Sequence, residues 1–592
     1  MKKIASLICT VALGAGFVSC SDFLDRSDTN AEYSTDGFFQ GEQAIHDGLT
    51  TIYSGMYMNL AYNVPHPITL ECYSGLALER DENITIGAGA GLTPENSVVQ
   101  SFWSSLYTNI ARINAVLSGA APYESTLNAK AKQYLAEAHV LRGLCYYYLI
   151  AMWGDVPFFD EPVTIEQYKD KRTPKADVLD FIIEDIDQIA EDLPWTADER
   201  GRVDRAFARG LQSRAALLGG SLDYDGRGQE YFRIAADRAQ QVFGNRGLAE
   251  NFDDLFNITG QAKADVRNEL LYELTYNNSG GNQIINMIAF GQVSRIQGQT
   301  GRHPSMMLAD TYECIDGKRI DESPLYDPQH PQRNRDPRFH STLWMHGDTC
   351  TVNNGSLSTI VLNAYDMTTY QYNYTTGAWE ERNNDDINST AAWASFCNAG
   401  VGYIWAKFCN ETVDNINSAA VSMPMMRYAE VLLNYAEAKI ELNEIDQTVY
   451  DAIDEVRGRV GMPGVLEADP TRQGNQAKMR QIVRRERKVE FADEGLHYFD
   501  MRRWGIGDLE NKYPSYGLPL ADIRYEGLDA DDIPNFKTTE REDLNDIPNY
   551  DAYKEKLKVR DVNRYWDDKF NLWPIPQLER DRNPNLGQNE GY

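Results

Sequence analysis

The chain has 592 residues, 42% hydrophobic and 24% charged, which supplies apolar material for several packed layers and is too apolar for an extended disordered chain. Its formal charge of −31 sets up a field that repels phosphate backbones. No long Lys/Arg run offsets that field, so nucleic acid is excluded as a partner.

In chain order, the first signal is Lys2 and Lys3 ahead of a mostly apolar run from Ile4 to Val18, followed by Ser19-Cys20. A basic start, an apolar run too short to cross a bilayer comfortably and a small residue before the cut predict an export signal over 1–19. The mature protein then covers 20–592. Ser19-Cys20 resembles a bacterial lipobox, with Phe17 where Leu is usual, so Cys20 is the expected lipid anchor. Buried acyl chains contribute about 0.8 kcal/mol per methylene, which holds a protein without a spanning helix at a membrane. Cys72, Cys145, Cys314, Cys350, Cys397 and Cys409 are too sparse for a disulfide framework and form no CxxC pair.

The segment 20–265 reads as a helical scaffold. Tyr134, Ala138, Leu141, Cys145, Tyr148 and Met152 recur at spacings of four and three, and the helix they mark ends at Gly154-Asp155-Val156-Pro157. A second stripe runs through Ala208, Leu211, Ala215, Leu218 and Leu222. Further helices are predicted over Glu42–Tyr57, Trp103–Leu117, Lys175–Asp192 and Tyr231–Phe243, with Thr173 as a cap and Pro174 in a first turn. Small residues such as Ala136, Ala208, Ala236 and Ala436 beside Tyr134, Phe207, Phe232 and Tyr435 suit the close helix pairs of a tetratricopeptide-like array.

From 266 to 423 the texture changes. Leu270–Tyr276 predicts a short strand, and the residues after it are rich in Gly, Asn, Thr, Ser and Tyr without helical period. Helices resume over 424–592, with a long charged helix expected from Gln476 to Trp504 and loops from Asp508 to Asp568. The fold class is thus mainly α: one domain with a tetratricopeptide-like helix-pair scaffold and a large irregular, loop-rich insertion carrying short strands.

Several stretches carry a family resemblance. Trp103, Tyr107, Ile110 and Asn114, then Ala136-Glu137-Ala138 through Leu141-Arg142 to Gly154-Asp155-Val156-Pro157, resemble the N-terminal helices of SusD-like (RagB/SusD) proteins. Arg485–Phe491, Glu494-Gly495 and Phe499–Trp504 resemble the family's C-terminal helix signature, with His497 where relatives carry Arg, a difference expected to touch one helix surface. Pro574-Ile575-Pro576 and Asn583–Tyr592 resemble its closing motif. The resemblance implies a non-enzymatic, surface-exposed outer-membrane lipoprotein that binds a glycan and acts with a SusC-like TonB-dependent transporter. Acidic residues behind Cys20, at Asp22 and Asp25, resemble the signal for surface exposure.

The residues themselves offer little catalytic chemistry. There is no GxSxG elbow, HExxH helix or P-loop, and Gly87-Ala88-Gly89-Ala90-Gly91 lacks dinucleotide spacing. Glu486, Glu490 and Glu494 fall on one helix face among arginines, the pattern of a salt-bridged helical surface. No cofactor is expected. Asp385 and Asp386 leave room for a structural calcium, although no EF-hand pattern is present.

Binding chemistry is better represented, because the C–H face of a sugar lies well against an aromatic ring. The insertion carries Trp344, Tyr370, Tyr372, Tyr374, Trp379 and Trp393 among polar residues, and loops on a rigid scaffold are where recognition groups tend to sit. Tyr370, Tyr372 and Tyr374 alternate, so an extended segment points all three to one side. Trp379 comes after a predicted hairpin turn at Thr376-Gly377-Ala378. Tyr403 and Trp405 alternate as packing residues of a buried strand. Tyr73, Arg80 and Asp81 are a second candidate group, since the family resemblance implies that the loop after the first helix pair approaches the ligand. The rival readings are a surface glycoside hydrolase, a family member tuned to peptide or glycoprotein, and a scaffold whose grooves hold a partner helix.

Overall fold

The computed structural model describes residues 37–60, 64–79, 91–277, 284–285, 291–292, 298, 301–354, 356–388, 401–409, 412–413, 418–562 and 564–592. The scaffold consists of α1 (Glu42–Gly55), α2 (Ser97–Ala120), α3 (Ala129–Trp153), α4 (Lys175–Ile189), α5 (Arg205–Ser221) and α6 (Gly228–Gln240). It continues after the insertion with α7 (Tyr428–Glu441), α8 (Gln447–Arg459), α9 (Gln476–Glu490) and α10 (His497–Arg503). Neighbours in sequence pack on one another from α1 to α6; α6 then meets α7 across the insertion, and α7 holds both α8 and α9.

Local chemistry sets the starts of these helices. The Asn96 side chain accepts from the backbone N–H of Val98 and Val99, Asn128 from Ala131 and Asp204 from Phe207. α3 is buried on every side from Val140 to Trp153, as expected of a helix that is apolar all round. The small residues act as the sequence requires: a Cβ on Gly219 would collide with Leu179 Cδ2, so α4 and α5 approach only because none is there. Cys145 is fully buried in this core.

Three expectations about the scaffold need correction. Leu222 caps the end of α5 and is exposed, since the stripe runs out at the helix terminus. Thr173 pairs with Val156 in a β-bridge instead of capping, and Pro174 takes the cap position of α4. The helix expected over Gln476–Trp504 is two helices. Between α9 and α10, Asp493 and Gly495 adopt φ of +64° and +75°, and a Cβ at Gly495 would collide with the Pro67 carbonyl oxygen.

A second hydrophobic core lies under the insertion, built from its Phe339, Leu343, Ile360, Tyr403 and Trp405 together with Cys72 and Leu76 ahead of it and Tyr516 and Tyr550 after it. The short strands include β1 (Ala77–Glu79), which precedes the insertion, and then β2 (Leu270–Leu274), β3 (Arg302–Pro304), β4 (Leu343–Met345), β5 (Thr349–Asn354), β6 (Leu357–Val361), β7 (Thr368–Asn373), β8 (Ala378–Asn383), β9 (Tyr403–Trp405), β10 (Thr412–Val413) and β11 (Met423–Arg427). One sheet has five strands, ordered β10-β5-β6-β7-β8, antiparallel except for the parallel β10–β5 pair. Two-stranded ladders pair β1 with β3, β2 with β11 and β4 with β9.

Insertion and scaffold are joined by buried ion pairs along α9. Glu486, Glu490 and Glu494 form a salt-bridged row, but it lies inside the protein and not on a helical surface; Glu490 is 0% exposed. Arg338 of the insertion reaches Asp336 at 2.7 Å, Glu486 at 3.0 Å and Glu490 at 3.1 Å. Arg427 reaches Glu269 at 2.5 Å, Glu490 at 2.9 Å and Glu494 at 2.8 Å. Guanidinium groups from Arg459, Arg427 and Arg338 hold the Glu490 carboxyl far below the usual carboxylate range despite the opposing effect of burial. His497 is also interior, its Nε2 2.7 Å from Glu510 Oε1, so the departure from the family pattern is a buried pair and not a surface change.

Candidate ligand-binding face

The five-stranded sheet has two unlike faces because side chains alternate along each strand. Cys350, Ile360 and Thr369 point inward and are buried. The register places Thr351 opposite Thr359, Thr359 opposite Tyr372 and Tyr372 opposite Trp379. These four side chains form a row across four strands on the outer face, about 14 Å long at ordinary strand spacing. One step along β7 and β8, Tyr370 stands opposite Glu381.

The hairpin that presents the rings is fixed at both ends. At the closed end, the Asn373 side chain accepts from the N–H of Thr375 and Thr376, and Gly377 takes φ of +70° while its N–H donates to Asn373 O at 2.8 Å. At the open end, buried Asn384 donates to the carbonyls of Asn363 at 2.7 Å and Asp366 at 2.8 Å. Arg524 binds Asp366 at 2.9 Å and lies over the Tyr365 ring, fastening the β6–β7 loop to the C-terminal region.

Tyr370, Tyr374 and Trp379 are 52%, 49% and 47% exposed, values that leave about half of each ring open to solvent. Tyr372 is partly covered because Tyr374 and Trp379 stand edge-on to it, with centroids at 4.9 Å and 5.5 Å. Tyr374 lies beyond the end of β7, in the turn, yet its hydroxyl meets Thr359 Oγ1 at 2.6 Å, and Thr359 meets Thr351 Oγ1 at 2.7 Å. The result is a ring platform flanked by hydroxyls and, beside Tyr370, by a carboxylate. Thr351, Thr359 and Glu381 do not stand out in the sequence; the same two-residue alternation that marks the tyrosines carries them once the strand pairing is known.

The other sequence candidates fall elsewhere. Tyr73 is 1% exposed and packs edge-on against Tyr498 with centroids 6.0 Å apart, so it is a core residue and not a surface contact. Trp344 is half-buried on the separate β4–β9 ladder, opposite Ile404 and packed on the insertion core. Tyr403 and Trp405 of that ladder are buried. Cys20, Arg80, Asp81 and Trp393 lie outside the described residues. Asp386 is buried and Asp385 exposed, and among the described residues no group of three or more His, Cys, Asp and Glu could hold a metal ion. Two clefts of about 450 Å³ each open on the scaffold, one beside Trp103, Tyr107 and Phe159, the other beside His139, Arg142 and Asp185. Neither includes a residue of the sheet.

An array of helix pairs carrying a ring-faced sheet on an insertion defines a helical-scaffold protein. The chain belongs to the SusD family: the sequence profile described as "SusD family" matches residues 268–592, more than half its length. A second profile, described as "Starch-binding associating with outer membrane", matches residues 22–216. SusD-like protein P2 of Formosa agariphila is 25% identical over 532 residues, 86% of this chain and 92% of that protein. A SusD-like protein of Bacteroides ovatus is 24% identical over 263 residues, 43% of this chain and 47% of its own. The crystal structure of a SusD-like carbohydrate-binding protein from Bacteroides fragilis superimposes with a TM-score of 0.72 at 25% identity, covering 93% of this chain and 100% of that one. A second B. fragilis SusD-like protein gives 0.70 at 21% identity over 95% and 99% of the two chains, a likeness of fold. The helical array is accordingly of the tetratricopeptide type.

Proposed function

We propose that this protein is a surface glycan-binding lipoprotein that captures an oligosaccharide or polysaccharide and passes it to a partner TonB-dependent transporter of the outer membrane. The observation that carries the binding reading is the outer face of the five-stranded sheet, where Tyr370, Tyr374 and Trp379 stay about half exposed next to hydroxyl groups. Exposed rings lose water readily to the C–H face of a sugar, and hydroxyls beside them fix its orientation. The relative described as carbohydrate-binding and the profile described as starch-binding support the ligand class. Capture in this reading breaks no bond: the carboxylates of Glu486, Glu490 and Glu494 are clamped by arginines inside the protein.

Membrane attachment rests on Cys20 and on the outer-membrane wording of the second profile. Among the described residues no helix is long and apolar enough to cross a membrane. The test of capture is affinity electrophoresis or calorimetry of the pure protein against a glycan panel, with product analysis on the same mixtures. Binding without new reducing ends supports the reading; released sugar would establish the hydrolase instead. Cys20→Ala should move the protein from the membrane to the soluble fraction, and retention at the membrane would remove the anchor from the proposal.

A further inference from the structure

The ring platform carries a single described charge on its own side. Glu381 is exposed, stands opposite Tyr370 and is two residues along β8 from Trp379, so its carboxylate shares the outer face with the rings. The Thr368 hydroxyl donates to its Oε1 at 2.7 Å, and among the described residues no cation pairs with it. The nearby cations are committed elsewhere. Arg382 alternates to the other face and binds Glu380, and Arg524 is held by Asp366 at 2.9 Å. Around Glu381 the outer face therefore offers aromatic rings and the neutral hydroxyls of Thr368, Thr359 and Tyr374.

Building on the glycan-binding reading, we infer that Glu381 makes this face select uncharged, hydroxyl-rich glycans and reject polymers that bear carboxylate or sulfate groups. A carboxylate is a strong acceptor for sugar hydroxyls, and charge-assisted bonds of this kind outweigh neutral ones. The same charge repels an anionic substituent brought alongside Tyr370, and the −31 formal charge of the chain adds a repulsive field at longer range. Discrimination therefore has both an attractive and a repulsive element at one residue.

The test is affinity electrophoresis of the full chain in detergent at low salt. The uncharged panel is α- and β-glucans, mannans and xylans; the anionic panel is polygalacturonate, alginate and dextran sulfate. At least one uncharged polymer should retain the protein, and every anionic one should do so about tenfold more weakly or less. Glu381→Gln should lower affinity for the uncharged ligand about threefold, the loss of one charge-assisted bond, and Glu381→Lys should raise retention by the anionic panel about fivefold or more. Thermal melts of both variants, expected to match the parent because the side chain is exposed, exclude misfolding as the cause. Anionic polymers bound as well as uncharged ones, or a selectivity unchanged by Glu381→Lys, overturns the charge rule while leaving glycan capture in place. Retention by neither panel removes both.

Discussion

The indole of Trp379 stands edge-on to the phenol ring of Tyr372, centroids 5.5 Å apart and planes at 71°, across a register pair of the β7–β8 hairpin. This contact keeps both rings upright on the outer face of the sheet, so the platform exists before any ligand arrives. Preorganised rings lose little freedom on binding, which is why aromatic anchors dominate recognition energetics.

Trp379→Ala and Tyr372→Ala should each weaken glycan binding by about tenfold or more, about 1.4 kcal/mol or greater. Because the rings touch, the double variant should lose less than the sum, with a coupling of roughly 0.5–1.5 kcal/mol. Calorimetry on the four proteins of the cycle measures both quantities. Unchanged affinity in both single variants would discard the site.

Tyr73→Ala should behave in the opposite way. Its ring is buried against Tyr498, so removal leaves a cavity and destabilises the fold by roughly 3–5 kcal/mol. Denaturant unfolding should show the loss, and the folded fraction should keep its glycan affinity.

Arg338→Met should destabilise the protein by about 3–5 kcal/mol, because it leaves the buried Asp336 carboxylate without its guanidinium and takes one of their cations from Glu486 and Glu490. The insertion should loosen from the scaffold first, since this guanidinium spans the two. Hydrogen exchange over residues 336–362 against that of α3 reads the difference.

Stability should also carry a pH signature from Glu71. Burial, and next the nearby Asp493 carboxylate, push its carboxyl up to about 8, although the Gly495 N–H donates to it at 3.0 Å. The folded protein therefore keeps a proton that the unfolded chain releases near 4.5. With the folded value raised, this group's contribution is full below the unfolded value, falls as pH rises from 4.5, and is lost by about 8. Thermal melts of the parent and Glu71→Gln from pH 5 to 9 should diverge, with the Gln form gaining relative stability toward alkaline pH by an amount on the order of a few kcal/mol. A constant difference across that range would place the Glu71 titration elsewhere.

How far a feature reaches along the chain decides whether the sequence shows it. The apolar period marked the bodies of α2 and α3, but the sequence reading began α2 at Trp103 and not at Ser97, because the Asn96 cap acts outside that period. The turn at Gly377 was legible because it depends only on adjacent residues, and so was the one-sided display of Tyr370 and Tyr372. Tyr374 reached the same face by a route that alternation does not describe, from a turn, by bonding to Thr359.

Local periodicity by itself determined the helical scaffold, the loop-rich insertion with its short strands and the hairpin that carries the rings, since those depend on neighbours a few positions away. Only the tertiary structure decided which rings meet water, because Tyr73 and Trp379 differ in what other segments lay over them. It alone turned the Glu486–Glu490–Glu494 row from a solvent stripe into a buried clamp: a carboxylate at that spacing suits either setting, and the arginines that neutralise it, Arg338 and Arg427, arrive from distant parts of the chain.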